Sequence, residues 1–136
     1  MKSSIAISIS HPVWRADDIT ACLKIDPDRC WDKGAACNGP DGRPLAGRHK
    51  ATYWRAGWVV EEPYLGLAAI INAQLDRLSL QEDFIRSISE TGGRVVLEIF
   101  WDFHASVTDD ELPVELLLRL GQFGIGLEFK SLPTGT

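Results

Sequence analysis

The sequence lacks the features that mark several large classes of protein. Its three cysteines form no CxxC pair, so neither a disulfide framework nor a zinc site is predicted, and the thiols are expected to be reduced. No apolar run is long enough for a transmembrane helix, and no glycine loop has the spacing that binds a phosphate. Residues 1–4 lead directly into a short alternating strand, so a cytoplasmic location is expected. No cofactor, metal or membrane contact is predicted.

The chain also lacks an excess of positive charge. Fourteen Lys and Arg stand against 19 Asp and Glu, which gives a net charge of −5 and an isoelectric point near 5.1. An acidic chain repels a phosphate backbone, so nucleic-acid binding is not expected. The same charge suits a basic protein partner, because opposite fields speed encounter.

What the chain does contain is the hydrophobic alternation of one small α+β domain. Its 136 residues predict a single domain over 1–136. Apolar residues at period two predict strands, and those at helical spacing predict helices, in the order β-α-β-α-α-β-α-β. With right-handed crossovers this order predicts a ferredoxin-like two-layer sandwich, with a four-stranded, mainly antiparallel sheet and helices on one face. The first helix is expected over about 17–25, with Asp17 as its N-cap and Cys22 on its apolar face.

A long segment at about 26–49 is rich in Gly and Pro and is predicted to be a loop. Loops of this length in a small domain are either functional or partly disordered. Arg29, Trp31 and Lys33 alternate at its start. If that stretch is extended, two cations flank an indole and hold an anion or a carboxylate. The alternative is a turn in which Trp31 plugs the sheet edge while both cations stay solvated.

Five tryptophans are many for a chain of this length. Trp54 and Trp58 share one face of the second predicted strand. They either cover the second face of the sheet beneath the long loop or form an exposed aromatic platform for a partner. Trp101 is assigned to the helix-facing core with Val95, Leu97 and Ile99.

The three histidines, His11, His49 and His104, are scattered along the chain. His104 follows Asp102 on one strand face, which would suit an acid–base pair, and His49 enters the second predicted strand. No Ser or Cys nucleophile is placed beside a histidine, so no catalytic residue is assigned and the protein is not expected to be an enzyme. The acidic run Asp109–Glu111 is explained by the N-terminus of the last helix, because negative charge is favourable there.

Several short motifs follow the order seen in one bacterial family. They are Asp17-Asp18-Ile19-Thr20 with Leu23, Arg29-Cys30-Trp31-Asp32-Lys33-Gly34, the stretch from Trp54 to Trp58, and the stretch from Leu117 to Phe129. This order resembles the bacterial proteins grouped as domain of unknown function (DUF) 4279. The resemblance implies no activity. Some similar small bacterial domains look like immunity or accessory proteins of toxin systems, which implies binding rather than catalysis.

The sequence therefore predicts a non-catalytic cytoplasmic module that binds a protein partner, with a basic toxin as one form of that partner. The candidate binding residues are Arg29, Trp31, Lys33, His49, Trp54 and Trp58. Two alternatives stay open: a sensor of a small anionic ligand, and a small enzyme that uses His104 with Asp102. A homodimer formed through exposed strand edges also stays open.

Overall fold

A mixed five-stranded sheet carries the helices of this α+β protein on one face. The computed structural model describes residues 2–38, 42–61, 66–101 and 111–131. The strands are β1 (Lys2–His11), β2 (Arg29–Trp31), β3 (Ala36–Asn38), β4 (Pro44–Arg48), β5 (Thr52–Glu61), β6 (Arg94–Trp101) and β7 (Ile125–Ser131). The helices are α1 (Ala16–Leu23), α2 (Leu67–Arg77), α3 (Glu82–Glu90) and α4 (Val114–Phe123), with a 3-10 turn at Ser79–Gln81.

The strand order is β2-β5-β1-β6-β7, so β1 lies at the centre of the sheet. It is antiparallel to both β5 and β6, and β6 is parallel to β7. The predicted ferredoxin-like order with four strands is not confirmed. That order needs a third strand between the first two long strands, whereas here β1 and β5 pair directly over their whole lengths, from Lys2 opposite Glu61 to His11 opposite Thr52.

The segment predicted as a loop at about 26–49 contains three short strands. β2 pairs with β5 and forms one edge of the sheet. β3 and β4 pair with each other in a separate hairpin. The chain thus leaves α1, adds an edge strand, makes the hairpin, and returns along β5 antiparallel to β1. This excursion explains why the first half of the chain does not form a parallel crossover.

The core lies between the sheet and the helices. Alternate residues of β1 and β6 point into it, and Val95, Leu97 and Ile99 are buried there, as the alternation predicts. Each helix buries one apolar stripe against them. The helical members of this core are Ala16, Ile19, Leu23, Leu67, Ile70, Ile71, Leu75, Ile85, Ile88, Leu116, Leu120 and Phe123.

The ends of α1 differ from the prediction. The N-cap is Arg15 rather than Asp17, and the backbone N–H of Ala16 donates to Asp32 Oδ1 at 2.7 Å, so a distant carboxylate occupies the helix N-terminus. The helix ends at Lys24, which has a left-handed backbone with φ of 59°. Cys22, expected on the apolar face, is exposed, and all three cysteines are free.

No helix in the described part of the chain is long and apolar enough to cross a membrane.

Candidate binding surface

The face of the sheet that carries no helix bears an aromatic and cationic cluster at its β2 edge. Directly opposed residues of antiparallel strands share a face, and the register places Arg29 opposite Arg55 and Trp31 opposite Tyr53. Arg29 and Trp31 therefore point to the same side, as their alternation predicts. We call Arg29, Trp31, His49 and Tyr53 the edge cluster.

The indole of Trp31 is held between two other rings. Its centroid lies 4.1 Å from that of His49 at an interplanar angle of 17°, and 4.7 Å from that of Tyr53 at 26°. Stacked carbon atoms are about 3.5–4 Å apart. Two rings this close to one centroid would overlap each other if they shared a face, so they cover opposite faces. The indole is a fixed anchor and leaves no open face for a planar ligand.

Arg29 completes the cluster with a free positive charge. Its Cζ lies 5.2 Å from the centroid of the Trp31 ring, and the residue is exposed. Among the described residues no carboxylate lies within ion-pairing distance of it. Its cross-strand neighbour Arg55, by contrast, is paired with Asp28 and Glu98. Partial burial, with the nearby Glu98 charge as the next cause, raises the pKa of the Tyr53 hydroxyl, so this ring stays neutral at physiological pH.

The base of the β3–β4 hairpin fixes His49 in the stack. The N–H of Gly34 donates to the carbonyl of His49 at 2.8 Å, and the N–H of His49 donates to the carbonyl of Ala35 at 2.9 Å. Arg48 Nη1 donates to the carbonyl of Gly34 at 2.8 Å. Gly34 has φ of 86°, which favours glycine at this turn. Beyond this base β4 is exposed along its whole length and carries the exposed Leu45.

Three of the six predicted binding residues lie outside the edge cluster. Lys33 is in the turn after β2, where its N–H donates to Thr52 Oγ1 at 3.0 Å. Trp54 is fully buried beneath α1 and donates to Thr20 Oγ1 at 2.9 Å. Trp58 is half-buried and donates to Gln74 Oε1 of α2 at 2.8 Å. Of the two arrangements predicted for these tryptophans, the exposed platform is not present, because both side chains face the helices. For the same reason they do not cover the second face beneath the loop.

An ion-pair network that the sequence did not indicate crosses the open face beside the cluster. Glu98 on β6 is buried, and it accepts from Arg55 Nε at 3.2 Å and from Lys130 Nζ at 3.2 Å. Asp28 extends the network to the β2 edge, because it pairs with Arg55 and its Oδ2 accepts from the N–H of Gly57. The hydrogen bond to Glu98 is the first cause that raises the pKa of Lys130. The network thereby ties together strands β5, β6 and β7 and the residue that precedes β2.

The histidines do not gather into a catalytic group in the described part of the chain. His11 is buried: its Nδ1 accepts from the N–H groups of Val13 and Trp14, and its Nε2 lies 2.8 Å from Thr91 Oγ1. Burial lowers the pKa of His11, which favours the neutral ring. The predicted pair of His104 with Asp102, the acidic residues 109 and 110, and the side chain of Trp101 all lie outside the described residues.

The described residues contain no group of three or more His, Cys, Asp or Glu that could bind a metal.

Comparison with known proteins gives no assignment. No protein-family model, no curated protein and no solved structure matches this chain.

Tyr53 belongs to the edge cluster but is not among the six residues that the sequence predicted to bind a partner. It lies on the strand face opposite to Trp54, and only the pairing of β2 with β5 shows that it meets Trp31.

Proposed function

We propose that this protein is a non-catalytic cytoplasmic binding domain that recognises an acidic surface of a protein partner. The contact is made through the edge cluster and the adjoining β3–β4 hairpin. The observation that carries the proposal is an indole held between two rings, beside an exposed guanidinium that no described carboxylate pairs. Tryptophan, tyrosine and arginine are the residues that contribute most to affinity in protein interfaces.

The local charge supports an acidic contact. Residues 28–55 carry six Lys and Arg against three Asp, whereas the rest of the chain carries eight Lys and Arg against sixteen Asp and Glu. A basic partner suits the net charge of the whole chain. At this surface the excess is positive, and complementary potentials favour carboxylates on the facing protein. We therefore propose that the partner contacts the edge cluster through an acidic patch.

The rigidity of the cluster supports recognition without a large ordering penalty. Binding ordinarily costs about 0.5–1.5 kcal/mol for each mobile side chain that becomes fixed. Here Trp31 is already held by His49 and Tyr53, and His49 is held by backbone hydrogen bonds at the base of the hairpin. A partner would meet these groups in one arrangement.

The resemblance to the DUF 4279 proteins suggests a biological role for this binding. It implies an immunity or accessory protein of a toxin system, in which the partner is the toxin and the edge cluster covers an acidic part of it. A sensor of a small anionic ligand, the alternative function, is less favoured at the edge cluster. Both faces of the Trp31 indole are covered, and Lys33 lies in the following turn rather than beside Arg29 on the strand.

The test is a pull-down of the tagged protein from its host's lysate, read by quantitative mass spectrometry. Arg29→Glu reverses the charge of the cluster. Arg77→Glu is the matched control, because Arg77 is also an exposed arginine over an indole without a described carboxylate partner, but it lies on α2. We expect a stoichiometric partner that Arg29→Glu loses and Arg77→Glu keeps, with thermal melting to show that both variants are folded.

Three results would contradict the proposal. They are a preparation that contains no partner, a partner that the folded Arg29→Glu variant retains, and a partner that both variants lose equally. Binding should also weaken as ionic strength rises, because the contacts of Arg29 are exposed and are screened by salt.

A further inference from the structure

A groove of about 200 Å³ lies on the helical side of the sheet, on the opposite face from the edge cluster. It is formed by the end of α1, strand β5, the end of α2 and the 3-10 turn that follows. Its wall is about half apolar and half polar, and the apolar residues that line it are Leu23, Ile25, Trp58, Leu78 and Leu80. Leu80 is 92% exposed, so its side chain stands at the mouth of the groove with little covering it.

The wall at Trp58 has its polar atoms satisfied. The indole N–H donates to Gln74 Oε1 at 2.8 Å, and the side-chain amide of Gln74 donates to the carbonyl of Ile70 at 3.3 Å. Gln74 itself is buried. Because these groups bind one another, Trp58 offers the groove a fixed aromatic surface rather than a donor in need of a partner.

Two positive charges line the same groove, and none of the described residues that line it is acidic. Lys24 ends α1, and Arg77 ends α2 with its Cζ 4.9 Å from the centroid of the Trp58 ring. Within the described ranges neither has a carboxylate at ion-pairing distance. Four other arginines of the described chain are paired with carboxylates, namely Arg15, Arg55, Arg86 and Arg119.

Lys24 also has a backbone conformation that a lysine does not favour. Its φ of 59° is the only positive φ of a non-glycine residue in the described part of the chain. Helix α4 ends in the same left-handed conformation, but with Gly124. Strained positions of this kind cluster at functional sites. Lys24 lines a groove that a second cation, Arg77, also lines.

We propose that this groove binds a small amphipathic carboxylate. Its apolar part packs on Trp58 and Leu80, and its carboxylate lies between Lys24 and Arg77. The volume is below the roughly 300–1,000 Å³ of sites for larger ligands, so the occupant is a single aromatic ring or a short acyl chain. This site is independent of the edge cluster, and neither proposal rests on the other.

The test is a titration of the full chain with phenylacetate and with hexanoate, in which ¹H–¹⁵N NMR spectra are recorded at each ligand concentration. Saturable shifts are expected at the indole N–H of Trp58, the side-chain amide of Gln74 and the backbone of Lys24. Phenylacetamide has the same ring without the charge and should bind about ten-fold more weakly or worse, because a charge-assisted contact is lost.

Arg77→Gln should weaken phenylacetate binding by about ten-fold, and Arg29→Gln is its control because it removes an equivalent charge from the opposite face of the sheet. Lys24→Gly should weaken binding similarly while it raises the melting temperature, which a loss of binding through misfolding would not do. The proposal is overturned if neither carboxylate gives saturable shifts at Trp58, if phenylacetamide binds as well as phenylacetate, or if Arg29→Gln reduces binding as much as Arg77→Gln.

Discussion

Replacing Lys24 by glycine should make the protein more stable. A non-glycine residue in the left-handed region costs about 1–2 kcal/mol, because its Cβ approaches the following carbonyl oxygen. Lys24 has φ of 59°, and its N–H already donates to the carbonyl of Thr20 at 2.8 Å, a bond that glycine would keep. Glycine loses about 0.5–1 kcal/mol more conformational entropy on folding. The net gain in the free energy of unfolding is therefore about 0.5–1 kcal/mol.

Urea denaturation and thermal melting both measure this gain. For a chain of this size the change corresponds to a rise of roughly 2–3 °C in the melting temperature. Lys24→Ala is the control, since it removes the same charge but keeps a Cβ in the left-handed conformation. It should be no more stable than the original protein.

The reasoning would be refuted if Lys24→Gly were no more stable than Lys24→Ala. That result would mean that the backbone at the end of α1 is not strained, and that the presence of lysine there needs no functional explanation. A gain shared equally by both variants would point instead to the removal of the positive charge. Only a gain confined to glycine supports the backbone argument.

Two further predictions concern buried titratable groups. Glu98→Gln should lower the free energy of unfolding, measured in urea, by about 2 kcal/mol. This is less than the loss for a fully buried pair, because Lys130 is partly exposed. Glu128→Gln removes a more exposed carboxylate and should change the free energy of unfolding little. Burial lowers the pKa of His11 below 6.5 in the native state. As the pH falls below 6.5, the unfolded state therefore binds more protons than the native state does. Stability should therefore be fully present above about pH 6.5 and decrease below it, with a smaller decrease in His11→Asn when both are followed by urea denaturation.

Local patterns predicted strand β6 and helix α2 well because each of these elements has a clear period. The inward residues of β6 and the stripe of α2 are apolar at the spacing that each structure requires, and both are buried. The α+β class and the placement of helices on one face follow from these periods. The order of the strands does not, since it depends on which strand pairs with β1, and no local signal specifies that.

The side to which Trp54 points illustrates the limit. Both faces of β5 mix aromatic and other residues, so alternation alone does not say which face meets the helices. The pairing with β1 decides it, because Ile9 lies opposite Trp54 and Ile5 lies opposite Trp58. Since the isoleucines of β1 face the core, the tryptophans must face it too. The same register sends Tyr53 to the open face.

Strand β5 therefore supplies both candidate sites from alternate positions. Tyr53 points to the open face and stacks on Trp31, while Trp58 points to the helical face and lines the groove. Each indole has one exposed arginine beside it, but the surroundings differ in a way that matters for binding. Trp31 is covered on both faces and can only present a rigid edge to a large partner. Trp58 borders an open groove with a second cation, an arrangement that suits the small carboxylate proposed for it.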